Sequence, residues 1–395
     1  MKDNLYKIIS DKKTLIIIYL LAVLAISIQS LTSHPKTYYE GGPEYKTYNN
    51  YTIFERSYHH LKNNQDLYIL YPQEHWDLYK YTPSFAVFFA IFSVCPDWLG
   101  LILWNLLNAL IVLLAVYALP KLSNYQKGLL LIIILFELIG NLQNQQSNAL
   151  IAGLIILSFA WLEKNKAFYA TLCLVFATFI KLFGLVGFSM FLLYRNKARS
   201  LLYTIMWTAV FLLAPLLFID ADQYIKLCRS YMHLLANDHS TSNGYSVMAW
   251  LNIWLSADIS KILILAIGII IFLLPFLRIK MYSDITFKYL LLSSILCWVV
   301  IFNHKAEPAT FVIAMAGVAL WFINSEKSWV NIILFITVLF LTSIAQTDIF
   351  PKEIRDDYLR PYRLKAVPCI LVWFKIIYDL LAMKEKKYLV AQNTG

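Results

Sequence analysis

The sequence predicts an all-α polytopic membrane protein with about twelve transmembrane helices. Three observations predict it. The 395-residue chain is 59% hydrophobic. Only 15% of its residues are charged, where a soluble domain carries roughly a quarter. Apolar runs of about 18 residues, long enough to span a bilayer, recur along the whole length. Residues 1–395 therefore read as a single integral membrane domain with no soluble domain attached.

The elements follow from where the cations fall. Lysine and arginine collect in cytoplasmic loops, so the net charge of +10 needs no nucleic-acid partner. The expected cytoplasmic markers are the N-terminus, Lys121/Lys127, Lys164/Lys166, "RNKAR" at 195–199, "RIK" at 278–280, Lys327 and "KEKK" at 384–387. Placing all of them on one side yields spans near 13–31, 98–118, 128–142, 146–162, 168–180, 182–194, 200–218, 260–277, 286–303, 308–324, 329–345 and 366–383. The first is read as a retained span, because its basic start and long apolar run lack a small-x-small cleavage site. Residues 83–96 are apolar but short and bounded by Pro83 and Pro96, so they are expected as an interfacial or re-entrant helix on the outer face. Residues 167–194 are expected to make two short passes that turn near Lys181. None of the five cysteines forms a CxxC pair, so neither a zinc site nor a redox motif is expected. No internal repeat is evident, which weakens a transporter reading.

The outward loops then hold an unusual set of polar groups. The first contains Asn50, Glu55 and the stretch "YPQEHWDLYKYTPSF" (71–85), with Glu74, His75, Trp76, Asp77 and Lys80. The turn "NLQNQQS" (141–147) is nearly all polar. Lys181 interrupts an apolar run, and "FNHKAEPATF" (302–311) carries His304, Lys305 and Glu307. Ionisable groups at membrane depth are costly and usually face a cavity or one another. Each of these sites also has a plain reading as aromatic belt, snorkelling charge or polar turn. Their convergence on one face favours function. A carboxylate from Asp77, Glu74 or Glu55 supplies a general base. Lys181, His304 and Lys305 suit a departing phosphate. Trp76 and its neighbours suit a sugar ring. On a helix, Glu74 and Asp77 would share one face, with Lys80 a turn further on.

The pieces "LKNNQDLYILYP", "KYTPSFAVFFAIF", "LWNLLNALIVLLAV" (103–116), "NQQSNALIAGLIILSFAWLEKNK" (144–166) and "ATFIKLFGLVGFSMFLL" (177–193) carry a resemblance. They resemble the GT-C class of membrane glycosyltransferases. Within it they look most like the bacterial polyprenyl-phosphate-mannose-dependent mannosyltransferases, which include enzymes that extend phosphatidylinositol mannosides. The likeness covers roughly residues 48–200. It implies a GT-C type bundle whose periplasmic first loop carries interfacial helices and the catalytic carboxylate. It also implies an outward basic site for the carrier phosphate and no metal or other cofactor. That family usually opens the helix of its first loop with an Asp-aromatic pair, and here Asn50-Tyr51 stands there. An amide cannot act as base. Either Glu55, Glu74 or Asp77 takes the role, or the enzyme is altered or inactive.

The expected function is transfer of a hexose, mannose by the likeness, from a polyprenyl-phosphate donor. The acceptor is a lipid, glycan or protein at the periplasmic face of the bacterial inner membrane. Glu307, Asn50, His75, Trp76 and Lys80 join the cations as substrate-binding candidates. A flippase or transporter for a lipid-linked or anionic substrate, and a non-catalytic scaffold, are the alternatives.

Overall fold

A computed structural model describes residues 2–237, 243–256 and 259–385, and the side chains from Leu5 onward. The last two lysines of "KEKK" lie outside the described residues.

The expected fold class holds, for the chain is an all-α polytopic membrane protein. The N-terminal part runs through α1 (Lys2–Ser10) and α2 (Lys12–Thr32), then a two-residue antiparallel ladder of β1 (Lys36–Thr37) and β2 (Glu44–Tyr45). It continues with α3 (Asn49–Lys62), α4 (Pro83–Ser93), α5 (Asp97–Ala118), α6 (Asn124–Gln143), α7 (Asn148–Glu163) and α8 (Ala167–Ile180). After α9 (Gly184–Gly187), prolonged by 3-10 turns to Leu193, come α10 (Lys197–Leu213) and α11 (Ala221–Asn237). Then follow α12 (Val247–Leu255), α13 (Lys261–Leu273), α14 (Ile285–Ile301), α15 (Phe311–Asn324), α16 (Trp329–Thr337), the single turn α17 (Lys352–Ile354) and α18 (Val367–Ala382).

Each of the twelve expected crossings coincides with a helix. Five of those helices are at least 18 residues long and apolar enough to cross a membrane alone. The others are shorter, and packing explains why they are tolerated. α7, α14 and α15 are buried on nearly every face, so their ends meet protein rather than lipid. Gly317 lets α14 and α15 approach closely, since a Cβ there would sit 2.7 Å from the Ser293 carbonyl. α8 and α9 form the expected broken pair. The chain leaves near Glu163 and returns to it, where the Tyr194 hydroxyl donates to the Glu163 carboxylate at 2.6 Å.

The bundle has two chemically distinct ends. At the basic end Lys288 pairs with Glu163 at 2.7 Å, Arg278 donates to the Leu380 carbonyl at 2.7 Å, and Lys127 donates to the Tyr117 carbonyl at 3.0 Å. The polar end holds residues 36–82, the 143–148 turn, Lys181, α11, α12 and the 302–307 loop.

α4 belongs wholly to the polar end. Thr82, its N-cap, donates to the Phe179 carbonyl at 2.5 Å, and Ser84 donates to the Phe211 carbonyl at 2.6 Å. At its far end Ser93 donates to the Glu55 carbonyl at 3.2 Å. Eleven residues rise only about 16 Å, half the hydrocarbon thickness.

Candidate active site

The polar end gathers side chains from four separate stretches of chain. Lys181 ends α8 in an extended conformation (φ −142°, ψ 146°), which turns its side chain out of the helix and back across the start of α7. Its Nζ donates to Gln146 Oε1 at 3.2 Å and to Asn148 Oδ1 at 3.1 Å. It also lies 5.3 Å from the centre of the Tyr81 ring. The Tyr81 hydroxyl donates to Gln146 Oε1 at 3.4 Å and accepts from Ser147 Oγ at 3.3 Å. Gln146 Nε2 donates to the Glu307 carboxylate at 3.3 Å. Asn50, second residue of α3, donates to the Asn144 carbonyl at 2.8 Å.

The chemistry of this cluster turns on what holds the ammonium. Both acceptors are neutral carboxamides, which solvate Lys181 without cancelling its charge. Among the described residues no carboxylate pairs with it, and Glu307 is one amide away. Gln146, Ser147, Asn148 and Tyr81 are buried, while Lys181 is half-buried and Glu307 exposed. The result is an ammonium that no carboxylate among the described residues neutralises, set at the edge of a buried polar cluster. His304 and Lys305 stand half-buried on the same loop as Glu307. Gln146, Asn148 and Tyr81 escaped the sequence reading as site residues. The available signal was Asn148, an amide opening an otherwise apolar run.

The stretch 71–82 departs from expectation. It forms successive turns, not a helix, so Glu74 and Asp77 do not share a helical face. Asn49 brackets Trp76 instead, accepting from its backbone N–H at 2.8 Å and donating to its carbonyl at 2.7 Å. Those two bonds replace the ones a helix would have made. Asp77 then sits at φ 79°, a left-handed conformation that ends helical continuation. Its carboxylate is half exposed and pairs with Lys80 at 3.0 Å. Trp76 stacks on Tyr38 of the β1–β2 segment, with centroids 5.1 Å apart.

Glu74 turns the other way. It lies 3.0 Å from His60 Nε2 and 3.9 Å from Arg56. Glu55 takes the other side of Arg56 at 3.2 Å and meets His59 at 3.0 Å. Five residues along a helix is a rotation of about 140°, so Glu55 points well away from the Asn50 face. Burial raises the Glu55 carboxyl above its usual value, against the opposing charges of Arg56 and His59. Burial also lowers His60 and His75, with Glu74 opposing at His60. His75 is buried with Nδ1 3.1 Å from the Asp77 carbonyl.

A pH dependence follows. A histidine whose folded pKa lies below its unfolded value, near 6.5, stabilises the fold above about that pH. The contribution is lost as pH falls through that value toward the folded pKa, because the unfolded segment takes up the proton first. Hydrogen exchange of residues 71–77, normalised for intrinsic rate, is expected to quicken between about pH 7.5 and pH 5.5. Unchanged protection over that range would show that the two imidazoles do not hold the segment.

The cations that precede α18 are engaged by other groups. Lys365 is buried against Glu137, Arg360 pairs with Asp356 at 2.6 Å, and Arg363 lies 4.8 Å from the centre of the Tyr245 ring. A cavity of about 660 Å³ opens beside the cluster, lined by Asp66, Tyr68, Leu78, Arg229, His233 and Asn237 among others. Its wall residue Tyr68 donates to the Tyr81 carbonyl at 3.0 Å, and Leu78 follows Asp77 directly.

The polar end of this multi-pass bundle therefore gathers a cation, carboxamides and a carboxylate into one hydrogen-bonded cluster. Residues 79–343, about two thirds of the chain, match glycosyltransferase family 87, and the chain belongs to that family. It is therefore a GT-C-like membrane glycosyltransferase. No curated protein matches the chain. The matched region includes Lys181, His304, Lys305 and Glu307 and begins just after Asp77.

Proposed function

We propose that the protein transfers a hexose, with mannose the first to test, from a polyprenyl-phosphate carrier to a lipid, glycan or protein acceptor at the periplasmic face of the inner membrane. The observation that carries this reading is Lys181, an ammonium held by two neutral carboxamides at the polar end. In the proposed reaction the acceptor hydroxyl attacks the anomeric carbon in line, and the bond from that carbon to the phosphate oxygen breaks. The hydroxyl proton passes to a first-loop carboxylate, and polyprenyl phosphate leaves. Lys181, with His304 and Lys305, takes up the charge on the departing phosphate, so no metal is required. Asp77 is the proposed base. Its carboxylate is accessible and has Lys80 as its single partner, whereas Glu55 is buried between Arg56 and His59.

The test is sugar transfer by purified protein supplied with labelled polyprenyl-phosphate-mannose. A charge-assisted contact is worth about 1.5–3 kcal/mol, so Lys181→Ala is expected to weaken donor binding roughly 10- to 100-fold. If Lys181→Ala leaves donor affinity and turnover intact, the ammonium only snorkels and the donor site lies elsewhere.

A further inference from the structure

The opposite, basic end of the bundle carries a recess with exposed cations in its lining. The recess, of about 750 Å³, lies between residues 192–197 and 276–283. It adjoins the end of the short span Gly184–Leu193, ten residues long. The span's four α-helical and six 3-10 residues rise about 18 Å, against a hydrocarbon layer of about 30 Å. Its neighbours continue past it, and lipid or side chains must fill the space it leaves.

The lining of the recess is mixed in character. Leu192, Leu193, Phe276 and Ile279 supply apolar walls, and Arg195, Lys197 and Lys280 bring three cations. The two tyrosines contribute rings rather than free hydroxyls. Tyr194 donates to Glu163, and Tyr282 donates to the Phe276 carbonyl at 2.6 Å. The carboxylates nearby have other duties. Glu163 holds Lys288 as well as Tyr194, and Asp284 caps α14 by accepting from the Thr286 and Phe287 amides. Among the described residues, none of the three cations has a carboxylate partner. Scattered basic residues would satisfy the charge bias of a cytoplasmic loop. These three instead line one concavity whose walls suit an acyl chain.

We propose that this recess binds an anionic phospholipid, with its phosphate among Arg195, Lys197 and Lys280 and an acyl chain against Leu192, Phe276 and Ile279. The match is one of charge and of amphipathic shape, and it is independent of the catalytic reading at the other end. Bound lipid completes the packing around the short span and steadies the α8–α9 pair that presents Lys181.

The experiment is native mass spectrometry and thermal unfolding of purified protein with phosphatidylglycerol, phosphatidylcholine or inorganic phosphate. Phosphatidylglycerol is expected to bind and to raise the unfolding temperature, while the other two do neither. Each cation near the surface contributes about 5-fold, so the triple variant R195Q/K197Q/K280Q is expected to lose roughly 100-fold in affinity. A control variant with Lys121 and Lys327 changed to Gln is expected to keep the binding. If the triple variant does not fold, the single variants, each expected to lose about 5-fold, decide the matter. Equal binding of phosphatidylcholine, an equal shift with inorganic phosphate, or full binding by the variants would overturn the proposal.

Discussion

Asp77→Asn is expected to lower the single-turnover rate of sugar transfer by about 10²- to 10⁴-fold at saturating donor, with donor affinity unchanged. The amide keeps the size of the side chain and its contact with Lys80 but has no basic oxygen to take a proton. Glu74→Gln is expected to lose less. Its carboxylate serves His60 and Arg56, and both contacts lie within the loop fold. Glu55→Gln is expected to act mainly on stability, because it empties one side of the Arg56–His59 network. Comparing the three at matched folded concentration separates chemistry from support. If Asp77→Asn and Glu74→Gln both retain near-wild-type transfer while Glu55→Gln is inactive, the base lies on α3. The 71–82 turns would then be only an anchor for the loop.

The misreading of 71–82 shows what a single chain hides. Spacing of three between acids is a helical signal only if the backbone bonds within its own segment. Here Asn49, some 27 positions upstream, makes those bonds for Trp76, and no local pattern announces it. The helices themselves were far easier to read. Apolar runs and basic loops are local quantities, so every expected crossing found its helix, and α4 was placed at the polar end from its length and its two prolines. The Lys181 cluster was half legible. Lys181 and Glu307 stood out because charge is conspicuous in an apolar chain. Their connector, Gln146, was visible only as part of the polar 141–147 turn, because amides in a turn are ordinary until the fold brings a cation to them. α11 was missed altogether. Its 17 residues on the polar end are amphipathic and too polar to register as a span.

Glu137 presents the same lesson in its strongest form, and it carries the largest expected effect on stability. It is the one charged residue in the apolar middle of α6, which should have marked it as paired. Its partner, Lys365, stands 228 positions away, just ahead of α18. The Lys365 ammonium donates to both carboxylate oxygens, at 2.8 and 2.9 Å, and to the Thr342 carbonyl at 2.8 Å. Side-chain exposure is 4% for the lysine and 6% for the glutamate, so neither charge has water to fall back on. The pair ties α6, the chain beyond α16 and the start of α18 into one joint. Glu137→Gln or Lys365→Met alone leaves an uncompensated buried charge, and each is expected to destabilise the fold by about 3–5 kcal/mol. Replacing both, as Glu137→Leu with Lys365→Met, removes the desolvation penalty together with the attraction. That double variant is expected to recover most of the lost stability. Thermal unfolding of the purified variants in one detergent is the measurement. Recovery in the double variant identifies a structural clamp. If the single variants unfold as the wild type does, the pair is solvated in the protein and is not a clamp.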